Sequence, residues 1–548
     1  MTNKPDSSKS KNFLVQGSIL AIAGIIVRLI GLLYRVPLTN IIGEEGIGVY
    51  STAYSIYNIL LLISSYTLPL ALSRLIAARL SVRQYYNSYK LFISACIFSL
   101  ISGGIIGAVC FFGADGFAAL MKMPQAAFAI KTLAPTIFIM AFLGTLRGYF
   151  QGYRTMVPTA FSQIIEQIVN AIVSLLAGYL LFKAGTAVDL ASGTENYYSA
   201  SYGAAGGTIG TGAGALAALV FCALLFFGQR SRIKAKAARD TGSERDRHSH
   251  LLKVLVMTIF PVLMSTTIYQ ISTVIDQAIF AGYTKTDYSG IWGAFNGKYM
   301  LLVHVPTAIA TSLGSAVIPT LAAAMQRGRT TEIVDKSGTA IRFNMVIAIP
   351  ATIGLAVLAG PVMNLLFRGN NNAATAMMIY GSTAIFFTAF STTTNSILQG
   401  IGNIWIPVRN AVIALAIHVV VLFALLYIFD LGIYGVILSN IVFYMVMCVA
   451  NNICLRNKLN YRQEIAKTFV SPGISAAVMG VASYFIYKLL FSLTHSNIIS
   501  VVVSVAAGIV IYGILLILTK GIDEVDLSRI PLGNKIARLA KKLRIMRD

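Results

Sequence analysis

Acidic residues are scarce in this 548-residue chain: 20 Asp and Glu stand against 43 Lys and Arg, and charged residues make up only 11% of the whole. So low a charged fraction, beside 56% hydrophobic residues, excludes an ordinary soluble domain. Histidine is also scarce, at five, and the acids are scattered, so no His/Asp/Glu set offers the constellation that a membrane-embedded enzyme needs. The five cysteines, Cys96, Cys110, Cys222, Cys448 and Cys454, lie in or at the ends of apolar segments without metal-ligand spacing. They read as small packing residues, and no disulfide is implied. The chain contains no GxxxxGK[ST] loop, which argues against ATP hydrolysis as the source of work. A cleavable signal pattern is absent as well: the first apolar segment is long, holds two arginines and lacks a small-residue cleavage site.

What is abundant is long apolar sequence, with a mean hydropathy of +0.74. Stretches long enough to cross about 30 Å of hydrocarbon as a helix recur throughout. Fourteen are expected, over 13–38, 49–76, 88–112, 128–150, 157–183, 203–228, 251–281, 292–321, 340–367, 374–398, 405–429, 432–455, 468–490 and 497–519. The fold class is thus an all-α polytopic membrane protein. Basic loops alternate with acidic ones: Lys4, Lys9 and Lys11, Arg79 and Arg83, Arg154, the 229–250 linker, Arg327 to Lys336, Arg409, Arg456 to Lys467 and the C-terminal tail form one set. Glu44, Glu45, Asp115, Asp189, Glu195, Asp287 and Asp430 fall in the other, with Lys122, Lys285 and Arg368 as its cations. Short basic loops stay in the cytoplasm, so both termini are expected there. The formal charge of +23 is then mostly topological, and nucleic-acid binding is the wrong inference from it. In the tail, Ile536, Leu539 and Leu543 share a face flanked by Lys535, Arg538, Lys541 and Lys542, a pattern that suits a surface helix on anionic lipid.

An internal repeat organises the chain. Gln151-Gly152 followed by Pro158 and a long apolar segment is echoed by Gln399-Gly400 followed by Pro407 and another, an offset close to 248 residues. Six intervening helices give the two halves one orientation, related by an axis along the membrane normal. The expected domains are an N-lobe over 1–228, a charged linker over 229–250, a C-lobe over 251–455, two further helices within 456–520 and a basic amphipathic tail over 521–548. The linker, rich in charge and poor in apolar residues, is expected to be mobile or surface-bound.

Arg28 and Arg35 lie seven residues apart inside the first apolar segment. Both point from one helix face, about 10 Å apart along the axis. A cation at that depth costs at least a few kcal/mol unless it faces a cavity, a partner or an anionic ligand, so an anionic substrate is the expectation. Arg74 ends the second segment, where it can also snorkel to the surface, and Lys298 follows Asn296 in the eighth, as a cavity cation or an interfacial anchor. Gln163, Glu166, Gln167 and Asn170 make a polar stripe at i, i+3, i+4 and i+7; Glu166 either joins the site or neutralises an arginine. Thr266, Tyr269, Gln270, Thr273, Asp276 and Gln277 form a similar stripe in the seventh segment, with Asp276 a candidate for a coupling cation or for a local pair. Such stripes must face water or protein rather than lipid.

The runs RLIGLLYRVPLTNIIGEEGIGVYSTAY (28–54) and LRGYFQGYRTMVPTAFSQIIEQIVNAIV (146–173), with the helix pattern, resemble the stage V sporulation protein B and MurJ-type branch of the multidrug/oligosaccharidyl-lipid/polysaccharide exporter superfamily. The resemblance covers nearly the whole chain. It implies two six-helix lobes, two extra helices forming a lipid-tail groove, and alternating-access flipping of a lipid-linked cell-wall precursor, lipid II foremost, in the bacterial plasma membrane. It implies substrate contacts for Arg28, Arg35, Lys298 and, more loosely, Arg74, with Lys standing where Gram-negative relatives have Arg. The family has an acidic residue after the first helix where this chain reads Gly46-Ile47-Gly48. A sodium site in one relative would invoke Asp276, with Asn410 as its partner. No cofactor is expected beyond Na⁺ or H⁺ as a coupling ion, and the expected state is a monomer in contact with anionic lipids. The alternatives are a flippase for another lipid-linked polysaccharide unit and a drug/cation antiporter of the same superfamily, which would need acids as its dominant cavity charge.

Overall fold

The computed structural model describes residues 7–524 apart from 154, 239, 241–245 and 285–287, together with 538 and 541. Lys4, Arg154, Lys285 and Asp287, used above for topology, lie outside the described residues, as does the tail over 531–548 except for Arg538 and Lys541. Among the described residues there is no strand: the chain is helical almost throughout, in two compact units, Met1–Gly297 and Lys298–Asp548.

The first unit contains α1 (Ser7–Leu61), α2 (Leu68–Ser81), α3 (Tyr85–Phe112), α4 (Ala114–Leu120), α5 (Ala126–Gly152), α6 (Val157–Ser192), α7 (Tyr197–Ala238), α8 (His248–Tyr283) and α9 (Tyr288–Ala294). The second contains α10 (Leu301–Gln326), α11 (Thr330–Val357), α12 (Ala359–Leu366), α13 (Asn372–Gly381), α14 (Thr383–Gly400), α15 (Trp405–Phe423), α16 (Ile433–Leu459), α17 (Ser471–Thr494) and α18 (Asn497–Leu518). Eleven stretches of described residues are long and apolar enough to cross a membrane, or up to twelve if the bent pair α13 and α14 counts as one. The first of them, Ala23–Ser81, runs from within the segment expected at 13–38 through the one expected at 49–76. They are joined at Gly43, whose φ of 72° lies in the left-handed region open to a residue without Cβ and breaks α1 into two helices. Of α8, residues 248–259 are described as a shorter apolar helix.

Large apolar side chains lie exposed along α3 (Leu100, Ile105, Phe112), α6 (Ile172, Leu176, Leu180), α17 (Val481, Phe485) and α18 (Ile509, Val510). Continuous apolar faces of this kind are stable in hydrocarbon, not in water. Inside the first unit α6 and α7 pack backbone to backbone. A Cβ on Gly206 would collide with the Ala177 carbonyl, and one on Gly210 with Ser174. Small residues thus bring the two backbones together where lipid supplies no hydrophobic drive for association. In the second unit a buried amide ladder joins three helices: Asn410 Nδ2 of α15 donates to Asn451 Oδ1 of α16 (2.9 Å), and Asn451 Nδ2 donates to Asn395 Oδ1 of α14 (2.7 Å).

The described ends of the charged linker are fastened to the first unit. Tyr86 N donates to Asp240 Oδ2 (3.0 Å), Asp246 N donates to Asn87 Oδ1 (3.2 Å), Arg79 pairs with Asp246 (2.7 Å), and Ser94 Oγ meets His248 Nδ1 at 2.8 Å. The packing boundary at Gly297/Lys298 falls later in the chain than this linker.

Overpacking a closed helix contact costs about 1–3 kcal/mol. Gly206→Val is therefore expected to lower the thermal unfolding midpoint of the purified protein in detergent. Gly104→Val, where a Cβ meets nothing within 4 Å, should leave it unchanged; differential scanning fluorimetry on the pair checks both.

Candidate functional site

Arg28 is exposed on α1, and Arg35, two turns on, is half-buried. The break at Gly43 allows the second half of α1 to bring Tyr50 and Tyr54 to Tyr34 and Arg35. Tyr34 and Tyr50 are each 4% exposed, and their hydroxyls meet at 3.4 Å. Tyr50 and Tyr54 pack with ring centroids 4.7 Å apart, and Tyr54 hydrogen-bonds Thr211 of α7. The Arg35 guanidinium lies near Tyr34, Tyr50 and Tyr54. Among the described residues no carboxylate pairs with it, so its charge remains uncancelled.

The α6 stripe closes one side of this arrangement. Asn170 Nδ2 donates to Tyr34 Oη (3.4 Å), and a Cβ on Gly31 would touch Gln167 Nε2, so the stripe faces α1 and not lipid. One turn earlier, Glu166 takes the second of the roles open to it. Arg147 of α5 donates through Nη2 to Glu166 Oε2 (2.7 Å) and through Nε to Ser162 Oγ (2.9 Å). Arg147 was not among the residues that the sequence singled out. Its signal was a cation inside an apolar segment, the same one that marks Arg28 and Arg35. Two arginines of one bundle thus differ in kind: Arg147 is neutralised in place, whereas Arg35 lies among tyrosines with no carboxylate beside it.

The remaining candidates are dispersed. Arg74 is exposed on α2. Lys298 sits in a π-helical turn, Phe295–Met300, and is 3% exposed. Its Nζ donates to Asn371 Oδ1 (2.7 Å) and lies 5.9 Å from the Phe367 ring centroid. Asn371 in turn donates to the Phe367 carbonyl (2.9 Å), so the ammonium is bound into the turn before α13. Asn296 is half-buried and donates back to the Trp292 carbonyl (3.1 Å). Asp276 is buried on α8 in the first unit, while Asn410 belongs to the amide ladder of the second, where its Oδ1 accepts from Arg409 Nη2 (3.1 Å). Of the α8 stripe, Gln277 donates to Thr52 Oγ1 (2.5 Å); the side chains of Thr266 and Tyr269 lie outside the described residues. No group of three or more His, Cys, Asp or Glu among the described residues is placed to hold a metal ion.

Residues 13–325 match the family model described as polysaccharide biosynthesis protein. Three relatives from Bacillus subtilis align over most of both chains. The uncharacterized membrane protein YabM is 25% identical (97% of each chain), and stage V sporulation protein B is 24% identical (95% of this chain, 98% of the relative). The lipid II flippase MurJ is 23% identical (86% and 87%). Among solved structures, an inward closed conformation of lipid II flippase MurJ superimposes with a TM-score of 0.62 at 17% identity (90% of this chain, 97% of that one). An inward-facing MATE family transporter of the MOP superfamily gives 0.65 at 16% identity (80% and 98%). At these identities the structural likeness is one of fold.

Removing one member of a largely buried ion pair strands the other charge, at a cost of about 3–5 kcal/mol when burial is complete, and less here because Glu166 keeps 23% of its side-chain exposure. Glu166→Leu is expected to lower the unfolding midpoint clearly. Arg147→Met combined with Glu166→Leu should recover most of the loss, and a double variant no more stable than the single one would show that the pair is not the reason.

Proposed function

Because the chain belongs to the polysaccharide biosynthesis protein family, we propose that it is a flippase carrying an undecaprenyl-diphosphate-linked cell-wall precursor, lipid II foremost, from the cytoplasmic to the outer leaflet. One of its relatives is a flippase by name and its structural neighbours are a flippase and a transporter by name, and with them it is a transporter and not an enzyme. The multi-pass chain resides in the bacterial plasma membrane, both termini in the cytoplasm, in keeping with the alternation of its basic loops.

The observation that carries this reading is Arg35, a cation inside a membrane-spanning helix whose neighbours are tyrosines rather than carboxylates. Such a group gains most from an anion it can bind by charge-assisted hydrogen bonds, and a planar guanidinium matches the paired oxygens of a diphosphate. Arg28, on the same face, supplies the second cation for a ligand with two phosphates, with Lys298 and Arg74 as further contacts in the course of transport. The polyprenyl tail stays in lipid while the headgroup crosses in an alternating-access cycle. Membrane potential or an ion gradient supplies the drive; Asp276, buried in the first unit, is the place to seek a coupled Na⁺ or H⁺. The family's description as polysaccharide biosynthesis protein favours one second reading, a lipid-linked polysaccharide unit other than lipid II, since the same cations serve any diphosphate linkage.

Reconstituted in liposomes with lipid II, the protein is expected to expose the headgroup on the opposite leaflet rapidly, and Arg35→Ala or Arg28→Ala to slow this about 10-fold or more, the scale of one lost hydrogen bond to a charged group. No translocation by the unmodified protein under an imposed potential or sodium gradient would move the substrate to another lipid-linked sugar. Unimpaired transport by both variants would make the arginines structural.

A further inference from the structure

The polar stripe of α6 meets the arginine face of α1 at two points. Asn170 Nδ2 donates to Tyr34 Oη (3.4 Å), and a Cβ on Gly31 would lie 3.2 Å from Gln167 Nε2. Both contacts join residues 136 positions apart, so α1 and α6 run parallel and in step here. Arg28, Gly31 and Arg35, at i, i+3 and i+7, share one face of α1. The Gln167 amide therefore rests on the gap that the glycine leaves between the two arginines, and Gln163, one turn back, stands at the level of Arg28. Two of the four stripe residues have protein partners: Glu166 pairs with Arg147, and Asn170 bonds Tyr34. Gln163 and Gln167 are half-buried and make no hydrogen bond among the described residues. An amide in that position, inside a membrane-spanning helix, has to be met by water or by a ligand.

We propose that Gln167, with Gln163 beside it, is a specificity-determining residue that reads the hydroxyl and acylamino groups of the sugar joined directly to the diphosphate. The inference rests on the reading of Arg28 and Arg35 as phosphate contacts. With the phosphates on the arginines, the next group along the ligand is that sugar, and the amide on Gly31 is the neutral polar group set between the two cations. A glutamine offers two N–H donors and a carbonyl acceptor, the complement of a sugar that carries groups of both kinds. Being neutral, it does not compete with the diphosphate for a guanidinium, as a carboxylate there would in the way that Glu166 takes Arg147. A site that hydrogen-bonds the polar groups of its substrate also disfavours a ligand without them, because its own groups are then left unpaired.

The test is binding of two ligands to the full-length protein in nanodiscs, undecaprenyl diphosphate and the same lipid carrying one N-acetylhexosamine, with thermal unfolding as the check on folding. The unmodified protein is expected to bind the sugar-bearing lipid about 5-fold more tightly than the bare diphosphate. Gln167→Leu should abolish that preference while changing bare diphosphate binding less than about 2-fold, and Gln163→Leu should reduce it. Gln167→Met repeats the measurement if the leucine variant does not fold. Gln167→Glu sets a carboxylate between Arg28 and Arg35 and should weaken both ligands about 10-fold. No preference in the unmodified protein, a preference kept in Gln167→Leu, equal losses of both ligands in that variant, or bare diphosphate binding undiminished in Gln167→Glu would each overturn the sugar contact alone, so long as Arg35→Ala weakens both ligands. Both ligands bound undiminished by Arg35→Ala and by Arg28→Ala would overturn the phosphate-contact reading and the sugar contact with it.

Discussion

A charge in a membrane-spanning helix has to be stabilised by something other than water, and the identity of that something decides what the charge is for. In the first unit the two outcomes stand side by side. Arg147 has a carboxylate at 2.7 Å and belongs to the architecture. Arg35 stands near tyrosines and has no carboxylate beside it, which leaves its charge to act on a ligand. The rest of the site follows from keeping this second solution stable: a broken first helix, a polar face on α6 and a glycine-rich α7.

The glycines of α7 do more than close the bundle. Between membrane helices, association depends on packing and on hydrogen bonds made at short range. Bringing α7 onto α6 places the Gly207 carbonyl where Ser174 Oγ can donate to it (2.7 Å). Packing and hydrogen bonding are therefore one arrangement: a change that pushes the backbones apart would release this bond as well as expose surface. Gly43 contributes from the opposite end by turning the second half of α1 so that its tyrosines meet the first.

Much of this was legible in the chain, for definite reasons. Cations inside an apolar run are conspicuous at any resolution of argument, and the spacing of Gln163, Glu166, Gln167 and Asn170 fixes a helix face without knowledge of the partner. Which partner that face meets was not legible, because sequence separation says nothing of which helices adjoin; Glu166 carried two open roles until Arg147 was found beside it. Lys298 illustrates the same limit. Its place near the end of an apolar segment left its surroundings open, and the structure encloses it with Asn371, a residue 73 positions away. The all-helical membrane class required only composition and run length. The helices themselves are harder to count, since α1 runs on through its kink and the π-helical turn Leu62–Tyr66 carries it almost to α2, where hydropathy alone would not place the boundary.

The fastening of the charged linker has a consequence of a more practical kind. Asp240 and Asp246 are gripped by consecutive residues, Tyr86 and Asn87, so the chain leaves and returns at one small patch whatever is threaded between. For such a closed loop the cost of added length grows only logarithmically, about 0.6 kcal/mol for each doubling. The five positions 241–245 are accordingly a natural port for grafting a whole reporter domain, with the grip on its two flanks shielding the transmembrane helices from the weight of the guest.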